Sequence, residues 1–189
     1  MSKPLDSVLN WVYKKFSKDA SKMLIYTGVA GWALSSLAQM GAILCNPKIS
    51  NEQKSFLLPQ ELADAAVNIG SFFLITLSAK KLAQKLFSTG KLAPKSVRTF
   101  LDKNKELYSK KIGKLDFDLD EVRKVNKEFP TDEYWAYKNF GTTLATVGAG
   151  VVASNVVTPI LRNKMASNAQ KKYINTYNPT KVPNSGMKV

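Results

Sequence analysis

Residue types that usually carry enzyme chemistry are sparse in this chain. Its 189 residues include no His and a single Cys, Cys45. A Ser-His-Asp triad, a Cys-His pair, an imidazole metal ligand and an intrachain disulfide are therefore excluded. The acidic tract 116–121 is spaced like the start of a calcium loop, but it lacks the later Gly and acidic residue that an EF-hand requires. We expect Asp118 or Asp120 to cap a helix instead.

The sequence also lacks a phosphate-binding loop. Gly148-Ala-Gly150 lies within an apolar stretch, and no Lys-Ser or Lys-Thr pair follows it. The remaining acid–base side chains, which belong to Asp, Glu, Lys and Tyr, do not cluster along the sequence. We therefore expect no catalytic, cofactor-binding or metal-binding residues, no small-molecule substrate, and a protein that is not an enzyme.

Three long segments carry almost no charge. They are residues 23–45, residues 62–79, which include Asp64, and residues 140–161; we call them the first, second and third apolar runs. As a helix, the first run would be about 34 Å long, enough to cross a hydrocarbon core of about 30 Å. Each run also contains Gly, Ser, Thr or amide residues, so helices buried in a soluble assembly are the alternative to membrane spans.

Small residues recur every four positions in two of the runs, a spacing that lets helix backbones approach closely. The residues that we predict to pack helices are Gly31, Ser35, Gly141, Ala145, Ala149 and Ala153. Polar residues within the runs are predicted to make hydrogen bonds between helices. These intramembrane polar residues are Gln39, Asp64, Asn68 and Asn155. Pro159 is expected to kink or end the third helix.

The net charge of +14 is concentrated in blocks. Residues 1–22 (five basic, two acidic) and residues 80–115 (eleven basic, two acidic) are strongly basic, and residues 162–189 carry six basic residues and no acidic one. Residues 116–138 are acidic. Basic blocks next to apolar runs indicate an anionic partner, either a lipid membrane or nucleic acid. The lysines that we predict to contact it are Lys14, Lys15, Lys18, Lys80, Lys81 and Lys85.

Proline, glycine and charge divide the chain into helical segments. An amphipathic basic helix is predicted at 1–22, a hairpin of two apolar helices at 23–90, a charged helical connector at 91–138, a long apolar-to-basic helix at 139–177 and a flexible tail at 178–189. Pro59 is expected in the first turn of the second apolar helix, and Thr131 is expected to cap the long helix. No period-two strand pattern is present. The predicted fold is all-α, a helical membrane protein with two or three apolar helices.

The distribution of charge bears on how many runs cross a membrane. Two spans would leave residues 1–22 and 80–115 on the cytoplasmic side, as the positive-inside rule requires. A complete third span would place the basic residues 162–189 on the opposite side, against that rule. The sequence leaves open whether the third run crosses, and a buried or re-entrant helix is the alternative.

Two stretches of the chain have a distinctive sequence: GWALSSLAQ, residues 31–39, and QKSFLLPQELADAAVNIGSFF, residues 53–73. Both resemble segments of small uncharacterised proteins of crAss-like tailed phages. The Lys-rich, His-free composition and the short basic tail agree with such a source. The resemblance includes no catalytic motif. It implies a membrane-associated or virion protein, located in the host inner membrane or in the virion.

These features together predict a non-enzymatic structural or scaffold protein that is integral to or associated with a membrane. Its Lys-rich faces would meet anionic lipid or a partner, and its apolar helices would form homo- or hetero-oligomers. One alternative is a phage virion or assembly protein with buried apolar helices and a basic tail on nucleic acid. Another is a holin-like pore former, whose spans must oligomerise.

Overall fold

Most of the described part of the chain folds into α-helix. The computed structural model describes residues 3–17 and 19–177, with side chains described for 6–17, 19–168 and 171. No β-strand occurs among these residues, and the prediction of an all-α fold is confirmed. The helices are α1 (Lys3–Phe16), α2 (Ala20–Cys45), α3 (Asn51–Ser88), α4 (Lys95–Lys103), α5 (Lys105–Tyr108), α6 (Leu119–Val125), α7 (Thr131–Val152) and α8 (Thr158–Tyr177). Lys18 and the predicted tail, residues 178–189, lie outside the described residues.

The N-terminal helix α1 is amphipathic, but the rest of the chain covers little of its apolar face. Phe16 is buried, and its ring centroid lies 6.0 Å from that of Tyr26 on α2. Val8 and Leu9 on the same helix are exposed. An amphipathic helix whose apolar side has no protein cover is typical of helices that lie in a membrane interface.

The apolar helices α2 and α3 form an antiparallel hairpin whose ends are set by capping side chains. Asp19 caps α2 by accepting a backbone N–H of its first turn at 2.9 Å. Ser50 and Gln53 form a capping box at the start of α3: the Gln53 N–H donates to Ser50 Oγ at 3.2 Å, and the Ser50 N–H donates to Gln53 Oε1 at 3.0 Å. The prediction that Pro59 lies in the first turn is therefore wrong, because the helix already begins at Asn51 and contains this proline.

A small helical domain with an apolar core follows α3; we call residues 91–130 the connector domain. Gly90 has a φ of +79°, a left-handed conformation that favours glycine and lets the chain leave the helix. Asp118 caps α6, as predicted, by accepting from the Asp120 N–H at 2.9 Å. The core formed by this domain and the start of α7 consists of Ala93, Val97, Phe100, Leu101, Phe117, Leu119, Val122, Phe129 and Tyr134.

The N-terminus of α7 differs from the prediction. Pro130 occupies the N-cap position, and no side chain caps this end of the helix. The expectation that Thr131 caps α7 is wrong, because its Oγ1 donates backward to the Phe129 carbonyl at 3.2 Å. Asp132 and Glu133 do lie in the first turn, where their negative charge is favourable to the helix dipole.

The long helix is continuous from α7 through α8. A π-helical turn, Ala153–Val157, joins the two, and the Thr158 N–H donates to the Ala153 carbonyl. Pro159 has no N–H to offer to the fourth residue before it, which favours a local departure from α-helical geometry. Of the two effects expected of Pro159, a kink or an end, the end does not occur: the helix widens for one turn before the proline and continues to Tyr177, where the predicted long helix also ends.

The helices α2, α3 and α7 form an elongated bundle in which α3 packs against the other two. At one end, which we call the connector end, Asp19 of α2 meets Lys80 of α3. At the other end, which we call the far end, Asp64 of α3 meets Arg162 of α8. The third apolar run therefore passes along α3 from the connector end to the far end.

Candidate functional site

The bundle exposes large apolar side chains along its length. In the most apolar 18-residue window of each helix, only 6% of α2, 22% of α3 and 17% of α7–α8 is buried. By length and composition, all three helices are long and apolar enough to cross a membrane. We call the exposed apolar surface of these helices the apolar belt. It includes Leu34, Leu37, Leu44, Phe73, Leu74, Leu144, Val147, Val151, Val152, Val156 and Ile160.

The inside of the bundle combines apolar side chains, such as Ile25 and Phe87, with small polar ones. The Thr76 hydroxyl donates to the Phe72 carbonyl of its own helix at 2.6 Å, and the hydroxyls of Ser71 and Thr158 lie 2.7 Å apart across two helices. A water-soluble domain collects its apolar side chains inside, whereas this bundle exposes many of its large apolar side chains and buries many polar ones. The buried polar residues of the bundle include Ser21, Ser36, Asn68, Ser71, Thr76, Lys80, Ser88, Lys138, Thr142, Thr146 and Thr158.

The connector domain is arranged differently. Its core is apolar, and its surface is charged, with exposed acidic side chains such as Asp102, Glu106 and Glu121 among a larger number of basic ones. The exposed lysines of this domain include Lys91, Lys95, Lys103, Lys105, Lys110, Lys111 and Lys114. One part of the chain is thus arranged for water, whereas the exterior of the bundle is suited to a hydrocarbon environment.

Two phenylalanines of α3 pack against glycines of the neighbouring helices. Phe72 lies between Gly28 of α2 and Gly150 of α7: a Cβ on Gly28 would lie 2.5 Å from Phe72 Cε1, and a Cβ on Gly150 would lie 3.2 Å from Cε2. Phe87 lies against Gly141 in the same way, where a Cβ would be 2.6 Å from Phe87 Cε2. Glycines that allow close helix contact are typical of membrane bundles.

The small-residue stripe predicted in the third run lies on the side of α7 that faces the bundle. Gly141 contacts Phe87, and Ala153 is fully buried. Ala145 and Ala149, between them, are half-buried.

The small-residue pair predicted in the first run lies elsewhere. Gly31 and Ser35 are exposed, and nothing lies within 4 Å of a Cβ built on Gly31. The prediction that this pair packs helices is therefore wrong for contacts inside the chain. The contact between α2 and α3 uses Gly28. No small residue lies four positions before or after Gly28, so no repeat in the sequence identifies it.

An ion pair joins α2 and α3 at the connector end. Lys80 Nζ lies 2.5 Å from Asp19 Oδ2, and Ser21 Oγ donates to Asp19 Oδ1 at 2.6 Å. Burial alone would raise the pKa of Asp19, but hydrogen bonds from Lys80, Ser21 and the Lys22 N–H outweigh burial and hold the pKa below its ordinary value of 3.8. Lys80 is buried and paired, so the prediction that it contacts an anionic surface is wrong.

The other lysines predicted to meet an anionic partner remain accessible where they are described. Lys15 Nζ lies 4.7 Å from the ring centroid of Trp11, which places its charge beside an exposed aromatic ring. Lys85 Nζ donates to the Leu115 carbonyl at 2.7 Å and so connects α3 to the connector domain. Lys18 lies outside the described residues. The exposed lysines of this set are Lys14, Lys15, Lys81 and Lys85.

A second ion pair fixes the connector domain to α7. Lys138 Nζ donates to Asp120 Oδ2 and lies 3.4 Å from the hydroxyl oxygen of Tyr134. Tyr134 is fully buried, and its ring packs edge-on against Phe129 with centroids 5.4 Å apart. These contacts hold α6 against the first turns of α7, so the bundle and the connector domain are joined by charge as well as by packing.

Two of the polar residues predicted in the runs connect helices. Asp64 Oδ2 lies 2.5 Å from Arg162 Nη2, which joins α3 to α8. In the orientation that satisfies its amide, Gln39 donates to both Glu61 carboxylate oxygens at 3.1 Å and accepts from Ser35 at 3.3 Å, which joins α2 to α3. Glu61 and Arg162 were not among the predicted site residues, because each lies at or beyond the edge of an apolar run.

The two asparagines have different surroundings. Asn68 is only 7% exposed, and its Oδ1 has no hydrogen-bond partner among the described residues. Asn155 is exposed, and its Nδ2 donates to the Val151 carbonyl of the same helix at 2.9 Å. The prediction that Asn155 bonds to another helix is therefore wrong within the chain.

Comparisons with known proteins identify no relative. No family model matches the chain, and no curated protein and no solved structure matches it. Within the described part of the chain, no group of three or more His, Cys, Asp or Glu side chains is placed to hold a metal ion. The functional argument therefore depends on the apolar belt, the connector domain and the contacts between them.

Proposed function

We propose that this protein is a non-enzymatic helical membrane protein with a structural role. The helices α2, α3 and α7 anchor it in the bilayer, and the basic connector domain lies as a scaffold at one membrane surface. The observation that supports this proposal most strongly is the apolar belt, because most of each apolar window is left unburied by the chain itself. The same chain builds an ordinary apolar core in the connector domain, so the exposure of large apolar side chains along three long helices is a feature of the bundle.

The free energy of the apolar belt favours a hydrocarbon environment. Leaving a Leu side chain in water instead of burying it costs roughly 1.5–3 kcal/mol, and the belt exposes several, among them Leu34, Leu37 and Leu74. In a bilayer the same side chains meet lipid tails at no such cost. The interior hydroxyls pose no difficulty there, since hydroxyls such as that of Thr76 donate to backbone carbonyls of their own helix.

The charges favour an orientation with the connector end against anionic headgroups. Lys14, Lys15 and Lys81 are exposed at that end, beside the basic surface of the connector domain. The continuous α7–α8 helix would then carry the basic residues after 162 to the opposite side. Arg162 directly follows the third apolar run, and its ion pair with Asp64 partly compensates its charge at the edge of the apolar belt.

Alkaline carbonate extraction of membranes from cells that express the protein tests the anchor. We expect the protein to stay in the membrane pellet. A matched pair of variants sharpens the test: Leu34→Lys places a charge in the apolar belt, and Leu115→Lys places one on an exposed leucine of the connector domain. A lysine near the middle of a membrane helix costs about 2.5–3.5 kcal/mol, so the first variant should be released or degraded and the second retained.

The two outcomes separate a membrane protein from a soluble one. In water, both leucines are exposed, and both substitutions should be tolerated equally. Release of the unmodified protein by carbonate, with equal yields of the two soluble variants, would refute the membrane anchor.

The second candidate is a virion or assembly protein whose basic C-terminal part contacts nucleic acid. The sequence has no acidic residue after Glu133, and the described side chains of Arg162, Lys164 and Lys171 on α8 are exposed. Soluble protein that binds DNA with an affinity that falls steeply as salt rises would favour this candidate. The resemblance to phage proteins is compatible with both functions and does not separate them.

A further inference from the structure

We propose that the membrane-anchored protein forms a parallel homodimer through one face of α7, with Asn155 paired to its counterpart in a second copy. The inference rests on the membrane anchor proposed above and goes beyond it by naming the contact surface and the partner. We call this face the α7 seam. It consists of Leu144, Gly148, Val151 and Asn155, all of which are exposed.

The amide of Asn155 is the feature that calls for a partner. Its Nδ2 makes one hydrogen bond, to the Val151 carbonyl of its own helix, and its Oδ1 accepts none from the described residues. A carboxamide has two donors and an acceptor oxygen, so most of its hydrogen-bonding capacity is left over. Unpaired polar groups are costly in hydrocarbon, which is why amides promote association of membrane helices.

Asn155 lies within the apolar belt rather than at its edge. Gly150, one and a half turns before it, packs on Phe72. The hydroxyl oxygen of Thr158, just after it, lies 2.7 Å from that of Ser71. Ser71 and Phe72 are in the middle of the second apolar run, residues 62–79. The amide is therefore level with the middle of the second apolar run.

Two other polar side chains of the apolar runs have partners on a neighbouring helix: Gln39 contacts Glu61, and Asp64 pairs with Arg162. Asn68 Oδ1 lacks a partner among the described residues, as Asn155 Oδ1 does, but Asn68 is buried inside the bundle. The amide of Asn155 is exposed on the outside of the bundle, where a second chain can reach its acceptor oxygen.

The spacing of the α7 seam matches a helix pair. Successive members are separated by four, three and four residues, the alternation found along the contact of a coiled coil. Gly148 has nothing within 4 Å of a built Cβ, so a second helix can approach closely there. Asn155 lies in the π-helical turn, where helical spacing alone does not fix its face. The hydrogen bond from Asn155 Nδ2 to the Val151 carbonyl keeps the amide on the same face as Val151.

A second copy of the same chain is the partner that fits this surface. Copies in one membrane have the same orientation, so a two-fold axis along the membrane normal places each residue opposite its own counterpart at the same depth. An amide is both donor and acceptor, so two Asn155 side chains complement each other. The seam carries no charge, and its apposition to an identical seam creates no repulsion. A single asparagine at such a contact also fixes the register of the pair.

Disulfide cross-linking in membranes tests the dimer. In a Cys45→Ser background, Val151→Cys places a thiol on the α7 seam, and Leu74→Cys places one at a similar depth on α3; the two native side chains are 57% and 64% exposed. We expect mild oxidation to cross-link Val151→Cys into a dimer and to leave Leu74→Cys monomeric. Adding Asn155→Leu should weaken the association constant roughly 5- to 30-fold, the effect of a lost interhelical amide bond, and Asn155→Gln should largely retain it.

Each outcome has a distinct reading. Cross-linking at Leu74→Cys as fast as at Val151→Cys, or association that does not change with Asn155→Leu, would overturn the dimer proposal. Helix content and carbonate resistance of the Asn155→Leu protein show whether it is folded and inserted, so a folding failure is not mistaken for lost association. A carbonate-resistant monomer overturns the dimer alone, whereas release by carbonate overturns the membrane anchor and the dimer with it.

Discussion

The contact of Phe72 with two glycines makes the packing of the bundle directly testable. We expect Gly28→Ala to destabilise the protein, because the added Cβ would lie 2.5 Å from Phe72 Cε1, about 1 Å closer than ordinary van der Waals contact. On its other side the ring faces Gly150, where a Cβ would lie 3.2 Å from Phe72 Cε2, so a ring displaced by the new methyl group moves toward the backbone of α7. Overpacking of this kind costs about 1–3 kcal/mol.

A second glycine of the same helix provides the control. Gly31→Ala gains the same helix propensity, up to about 1 kcal/mol, and meets nothing within 4 Å. The difference between the two variants therefore isolates the clash with Phe72. In thermal unfolding of the detergent-solubilised protein, a clash of 1–3 kcal/mol should place Gly28→Ala roughly 2–12 °C below Gly31→Ala.

A compensating variant decides whether Phe72 is the cause. Adding Phe72→Leu to Gly28→Ala shortens the side chain and should recover part of the lost stability. Equal unfolding temperatures for Gly28→Ala and Gly31→Ala would refute the proposed packing of the ring between α2 and α7.

Two further predictions concern the connector end and the path of the chain. The pKa of Asp19 is lowered in the folded protein. Its ion pair with Lys80 therefore contributes its full stability above the pKa of the unfolded chain, and this stability is lost as the pH falls through the pKa of the folded protein. Unfolding temperatures measured downward from pH 5 should show the loss, and Asp19→Asn should reduce the dependence of the unfolding temperature on pH. The path of the chain can be tested with membrane-impermeant maleimide applied to sealed vesicles, which should label the exposed native Cys45 from the side of the far end. In a Cys45→Ser background, Asn168→Cys should be labelled from that same side and Ser109→Cys from the opposite side. Labelling of Asn168→Cys and Ser109→Cys from the same side would show that the third run does not cross.

Local signals in the sequence predicted the helices well. The uncharged runs mark most of α2, the middle of α3 and most of α7, because an uncharged stretch long enough to cross a membrane predicts a helix without any periodic pattern. Gly90 and Asp118 end and begin helices where their backbone and capping preferences place them. The start of α3 was missed although Ser50 and Gln53 have the spacing of a capping box, because Pro59 gave the more conspicuous signal.

The contacts between helices were less predictable. Lys80 and Lys81 are adjacent in the sequence, yet one is buried against Asp19 and the other is exposed. Which of two neighbouring lysines faces the bundle depends on the rotation of α3 about its axis, and that rotation is set by residues far along the chain. Gly28 and Phe72 illustrate the same limit, since neither belongs to a motif and their contact arises only when α2 and α3 are aligned.

The π-helical turn Ala153–Val157 sets the rotational phase of α8 relative to α7. One extra residue in a helix turns everything beyond it by about 100°, and a π turn absorbs such a residue without breaking the helix. Removal of one residue from this turn would therefore rotate Arg162 away from Asp64 while α7 kept its contacts with α3. The widened turn acts as a geometric offset that brings two oppositely charged side chains, 98 positions apart in the chain, onto facing surfaces.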